Sequence, residues 1–229
     1  MFTSKLTNLF PSWAKNILFL LVCILSGLTL VLIIEGLLGG NELLPLNIAV
    51  EQAMIHLRTP FLTDFLVLIT NIGSPFVLSC VAIFIAVMLF IKKKIYDASL
   101  LAAAMLVSVV SLTILKNIFK VSRPASEIFN FSGWSFPSGH TTITTALFFV
   151  LAYIFFDKVK TTAGKINLIL GFILAVALVC LSRLYLGAHW ALDVLAGVSL
   201  GLLTVSFTVL VFTVFIEGRR FDRKKLGLW

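Results

Sequence analysis

The chain has 229 residues, 60% of them hydrophobic and 12% charged, and carries a formal net charge of +8 at pH 7. A water-soluble domain has roughly 45–50% apolar and about 25% charged residues, so the composition argues against an ordinary soluble fold and for a bilayer. The basic residues lie in short clusters between apolar runs, a pattern that sets membrane topology and gives no footprint for nucleic acid.

In chain order, Lys5 and Lys15 precede an apolar run from Ile17 to Leu38. That run exceeds the about 7–15 residues of a signal-peptide core and no A-x-A-like site follows it, so it reads as a retained first span. A spanning helix needs about 20 mostly apolar residues. Six segments are predicted to cross: Asn16–Leu38, Pro75–Ile91, Tyr96–Leu115, His140–Phe156, Ile166–Leu181 and Trp190–Ile216. They lack the alternation of barrel strands, and lipid offers no partners to an open backbone, so all must be helices. Between the first two, Asn47–Thr70 mixes Glu51, Gln52, His56, Arg58 and Asp64 with apolar residues. It is expected to be an amphipathic stretch at the membrane surface, broken at Pro60 and closed by the Asn71–Pro75 turn. The predicted fold class is therefore all-α: a polytopic membrane protein of six spans with an interfacial amphipathic segment. No polar stretch is long enough for a second domain, so residues 1–229 are expected to form a single membrane-embedded domain. Cys23, Cys80 and Cys180 all lie in apolar runs and suggest neither a disulfide nor a metal pattern.

With a cytoplasmic N-terminus, thirteen of the eighteen lysines and arginines fall inside: Lys5, Lys15, Lys92, Lys93, Lys94, Lys158, Lys160, Lys165, Arg219, Arg220, Arg223, Lys224 and Lys225. Arg58, Lys116, Lys120, Arg123 and Arg183 fall outside. The bias predicts both termini in the cytoplasm.

Three places break the apolar pattern. They are Lys116 through Arg123-Pro124, the run Pro137-Ser138-Gly139-His140, and Ser182-Arg183 followed by His189 and Asp193. The topology puts all three at one membrane face, the outer one. Pro137 suits the first turn of a helix. Ser138, Gly139 and His140 would then offer free N–H groups at a helix N-terminus, which attracts anions, and Gly139 lets an anion approach the backbone. Lys116, Arg123 and Arg183 add positive charge, and guanidinium suits phosphate. His189 and Asp193, four apart, would share a helix face, with the aspartate fixing the ring tautomer and freeing the other nitrogen.

Each part has a plainer reading. Basic residues near helix ends anchor by snorkelling, a Pro-Ser-Gly run is a common helix start, and a His/Asp pair could be a structural hydrogen bond or two metal ligands. The conjunction on one face favours function, because charge near a membrane interior is costly. By this count the residues support an anion site with an oriented histidine, and no more.

The three segments resemble the signature of the type 2 phosphatidic acid phosphatase family, which shares its site with vanadium haloperoxidases: KxxxxxxRP, PSGH and SRxxxxxHxxxD. Every defining residue and both internal spacings match within 116–193. The resemblance implies that Lys116, Arg123, Ser138, Gly139 and Arg183 bind phosphate. It implies that His189 attacks phosphorus to form a phosphohistidine, that His140 serves as general acid and base, and that Asp193 orients His189. It implies a reaction without metal or cofactor, on a membrane lipid phosphate at the extracytoplasmic face. Undecaprenyl pyrophosphate, phosphatidylglycerol phosphate and phosphatidic acid are the substrates it suggests. Alternatives are a lipid phosphotransferase using the same phosphohistidine, or an inactive lipid transporter. Outside the signature, Lys120 reads as a solvated or headgroup-facing charge and His56 as an interfacial polar residue. Ser182 reads as support for its turn, and Glu127 and Trp134 as possible borders of a lipid entrance.

Overall fold

A computed structural model of the chain describes residues 12–39 and 44–217. Lys5, Arg219, Arg220, Arg223, Lys224 and Lys225, which entered the charge count, lie outside the described residues. The elements are α1 (Ser12–Leu38), α2 (Leu44–His56), α3 (Pro60–Ile72), α4 (Pro75–Ile91), α5 (Ile95–Phe119), α6 (Gly139–Phe156), α7 (Thr162–Tyr185) and α8 (Ala191–Val211), the last continuing into a π-turn at Phe212–Glu217. No strand occurs among the described residues.

Among the described residues, five helices are long and apolar enough to cross a membrane. The expected second span, Pro75–Ile91, is α4. α3 and α4 meet at a 42° bend, and the pair together is long and apolar enough for a sixth crossing, either as a broken span or as a re-entrant loop. Local sequence explains the break. Thr59 caps α3 by accepting from the Leu62 N–H, Ser74 caps α4 by accepting from the Val77 N–H, and prolines occupy the first helical position of both. The region expected to be one stretch at the membrane surface forms two helices, α2 and α3, separated just before Pro60.

α8 is the central helix, packed on α1, α5 and α6. Gly197 and Gly201, one turn apart on α8, allow α6 to approach closely. A Cβ on Gly197 would stand 2.8 Å from the Ser138 carbonyl oxygen, and one on Gly201 2.8 Å from that of Thr142. Ser108 on α5 and Thr204 on α8 share a buried hydrogen bond of 2.7 Å, which satisfies two hydroxyls inside the bundle.

The two ends of the bundle differ in chemistry. At one end Lys15 of α1 pairs with Asp157 after α6, and Lys158 pairs with Asp97 of α5, both at 2.6 Å. At the other, the C-terminal ends of α5 and α7 meet the N-terminal ends of α6 and α8. A long loop, residues 120–138, crosses that end. Its Ile128 N–H donates to the Leu186 carbonyl and its Ser135 N–H to the Val121 carbonyl. Arg58, in the turn between α2 and α3, is tied into the same end, donating to the carbonyls of Tyr185 and Ser126.

Candidate active site

The site forms where four helix ends meet under that loop. Lys116 is in the last turn of α5, and Arg183 is in the last turn of α7. α7 stops in a Schellman cap: the Gly187 N–H donates to the Leu184 carbonyl and the Ala188 N–H to that of Arg183, with Gly187 at φ +67°. This cap turns the chain so that His189 follows within two residues. α6 begins at Gly139, with Ser138 as its N-cap rather than Pro137 as its first residue.

Six of the eight residues expected to carry the chemistry line one cavity of about 290 Å³: Lys116, Arg123, Gly139, His140, Arg183 and His189. Pro75, Phe131, Ser132, Gly133 and Trp134 complete its wall. Ser138 and Asp193 stand behind it. The Ser138 N–H, expected to be free, donates to the Asp193 carbonyl at 3.0 Å. Its hydroxyl accepts from the Thr141 hydroxyl at 3.0 Å and, at 3.5 Å, from the Thr141 N–H. The reason is the close α6–α8 packing, which brings the α8 start onto the α6 cap. The N–H groups of Gly139 and His140 remain in the first turn, where no intrahelical carbonyl reaches them.

His189 does not share a helix with Asp193 as the spacing suggested. The Asp193 carboxylate accepts the Trp190 N–H at 2.9 Å, so the helix starts after His189. Both side chains are buried, with His189 Nδ1 3.5 Å from Asp193 Oδ2. Ser135 lies between them, donating from its hydroxyl to Asp193 Oδ2 and standing 3.3 Å from His189 Nδ1. On the far side of the ring, Nε2 is 3.4 Å from the Arg123 guanidinium. Burial, followed by the charges of Arg183, Arg123 and Lys116, holds the His189 ring well below the ordinary histidine range, with the Ser135 backbone opposing. These surroundings favour the neutral form of the ring. Burial also lowers Arg123, against Glu127 and Asp193.

The three cations are held by main-chain carbonyls, a threonine hydroxyl and one ring. Lys116 Nζ donates to the Trp134 carbonyl at 2.5 Å. Arg123 donates to the carbonyls of Gly133, Ser132 and Ala188. Arg183 donates to the Thr70 hydroxyl of α3 at 2.8 Å, and its Nε has no hydrogen-bond partner. The Phe131 ring lies 4.8 Å from the Arg183 guanidinium and 5.7 Å from that of Arg123. An aromatic face between two guanidiniums offsets part of their mutual repulsion.

Ser135, Thr70 and Phe131 escaped sequence reasoning. A serine and a threonine in apolar or loop sequence carry no signal, though Phe131 belongs to an aromatic-rich loop. Trp134, expected near a lipid entrance, does line the cavity and is 43% exposed. Glu127 does not; its Cα packs against Gly187. Lys120 is the exposed left-handed cap of α5, and His56 is exposed in the last turn of α2; neither lines the cavity. The Ser182 hydroxyl donates to the Val179 carbonyl within α7.

This geometry meets a consistent set of relatives. Residues 97–217 match the PAP2 superfamily model. The chain belongs to the PAP2 superfamily. It is 31% identical to phosphatidylglycerophosphatase B of Bacillus subtilis over 75% of this chain and 86% of that one. It is 30% identical to an undecaprenyl-diphosphatase of Sulfolobus acidocaldarius over 81% of this chain and 84% of that one. The crystal structure of a transmembrane PAP2-type phosphatidylglycerolphosphate phosphatase from Bacillus subtilis superposes with a TM-score of 0.72 at 25% identity, covering 83% of this chain and 94% of that one. The protein is thus a multi-span member of a phosphatase family whose relatives act on membrane lipid phosphates.

Proposed function

We propose that the protein hydrolyses the phosphate ester or diphosphate of a membrane lipid through a phosphohistidine on His189, at the extracytoplasmic face. The observation that carries this reading is the cavity into which a neutral, buried histidine, a second histidine and three cations converge at one end of the bundle. Phosphoryl transfer needs mainly positioning and neutralisation of charge, and Lys116, Arg123, Arg183 and the α6 N-terminus supply both.

In the first step His189 Nε2 attacks phosphorus in line. The bond from phosphorus to the lipid-side oxygen breaks, and His140 gives that oxygen a proton. In the second, His140 takes a proton from water, the water oxygen bonds to phosphorus, and the P–N bond breaks to release phosphate and free His189. Asp193 keeps the ring oriented.

The activities of the relatives favour phosphatidylglycerol phosphate or undecaprenyl diphosphate as substrate. The outward orientation rests on the basic residues: Lys15, Lys92, Lys93, Lys94, Lys158, Lys160 and Lys165 belong to the end opposite the cavity. The decisive experiment is phosphate release by the purified protein from both lipids, with and without a chelator. Activity should survive the chelator and vanish in His189→Ala. Unchanged release by His189→Ala refutes the mechanism, and loss with chelator refutes metal independence.

A further inference from the structure

We infer that Ser135 is a positioning residue that bridges His189 and Asp193 and fixes which ring nitrogen attacks; this rests on the His189 reading above. The direct link between the two residues is weak. At 3.5 Å, His189 Nδ1 to Asp193 Oδ2 lies beyond the usual 2.7–3.2 Å of an N–H···O hydrogen bond. The Asp193 carboxylate is also engaged by the Trp190 N–H, which it accepts as part of the α8 cap. Ser135 fills the gap. Its hydroxyl donates to Asp193 Oδ2 and stands 3.3 Å from His189 Nδ1.

A hydroxyl has one donor and two acceptor positions. Once its proton is committed to the carboxylate, it can only accept from the ring. Nδ1 must then carry the hydrogen, and the lone pair falls on Nε2. Nε2 is the nitrogen that faces Arg123 and the cavity. Asp193 thus acts on the nucleophile through Ser135, with the carboxylate setting the direction of the hydroxyl and the hydroxyl setting the tautomer.

Ser135 is fully buried and well held for this role. Its N–H donates to the Val121 carbonyl at 2.8 Å, and Lys116 lies 3.4 Å from its carbonyl. The loop that crosses the site thereby reaches behind the nucleophile as well as over the cavity.

The test is a set of purified variants assayed for phosphate release from phosphatidylglycerol phosphate: Ser135→Ala, Asp193→Asn, the double variant and His189→Ala. Ser135→Ala should lower kcat by about 10–100-fold, the range seen when outer partners that orient a metal-bound histidine are lost, with KM within about 2-fold. The double variant should be no more than about 2-fold slower than Asp193→Asn, since both act on one nitrogen. A kcat for Ser135→Ala within about 2-fold of wild type overturns the inference, because the ring would then be positioned without the Ser135 hydroxyl. Losses that multiply in the double variant also overturn it. If His189→Ala retains activity, the nucleophile assignment itself falls; if His189→Ala is dead while Ser135→Ala is normal, only the role of Ser135 falls. Nitrogen NMR of histidine-labelled wild-type protein, assigned against His189→Ala, gives a readout that does not depend on variant folding. The proton of His189 should be on Nδ1, and finding it on Nε2 refutes the bridge.

Discussion

Gly187→Ala tests how the end of α7 delivers His189. The residue sits at φ +67°, and a Cβ there would stand 2.8 Å from the Ser126 carbonyl oxygen and 2.9 Å from the Glu127 Cα. The left-handed backbone costs an alanine about 1–2 kcal/mol. The contact adds overpacking of about 1–3 kcal/mol, because backbone atoms yield less readily than a side-chain tip. The chain can take up this strain as lost stability, or it can push apart the 126–127 segment and the His189 loop. A displacement of about 1 Å at a nucleophile can cost about 100-fold in rate. The expected result is a lower apparent Tm in detergent, together with a fall in kcat of up to about 100-fold per folded molecule. Gly171→Ala is the control, since nothing lies within 4 Å of its Cβ position. Wild-type kcat and Tm in Gly187→Ala would refute the claim that this cap sets the position of the nucleophile.

Thr70→Val removes the α3 hydroxyl that accepts from Arg183, while keeping the side chain's shape. A bond to a charged group contributes about 1.5–3 kcal/mol, so KM for the lipid phosphate should rise by about 10-fold or more, with a smaller effect on kcat; unchanged steady-state constants would refute it. The His189 ring should stay neutral as pH falls through about 6.5, the usual histidine value, because burial and the surrounding cations depress its pKa. Its NMR signals should titrate only well below that pH, whereas a midpoint near 6.5 would refute the buried placement. A membrane-impermeant thiol reagent should label Asn130→Cys from outside intact cells, in a background lacking Cys23, Cys80 and Cys180. Labelling from the cytoplasmic side alone would reverse the proposed orientation.

Much of the site was legible because a bilayer makes charge conspicuous. Lys116, Arg123, His140, Arg183 and His189 stood out at the ends of apolar runs, and all five line one cavity. The spans were legible for the same reason, since only long helices satisfy their own backbone in lipid. The expected second span, Pro75–Ile91, coincides with α4, and the bend before Pro75, which looks in sequence like an ending, joins that helix to α3.

The sequence by itself determined the all-helical membrane fold, the family and the cluster of cations and histidines, through the length of its apolar runs and the fixed spacing of its charged residues. Tertiary structure alone decided how those residues are held. The start of α8 after His189 depends on where the Asp193 carboxylate finds a donor. The idle-looking Ser135 meets Asp193 across 58 positions, and Thr70 meets Arg183 across 113. Such pairings have no local pattern to read, because neither hydroxyl has any chemical distinction until helix packing brings it to its partner.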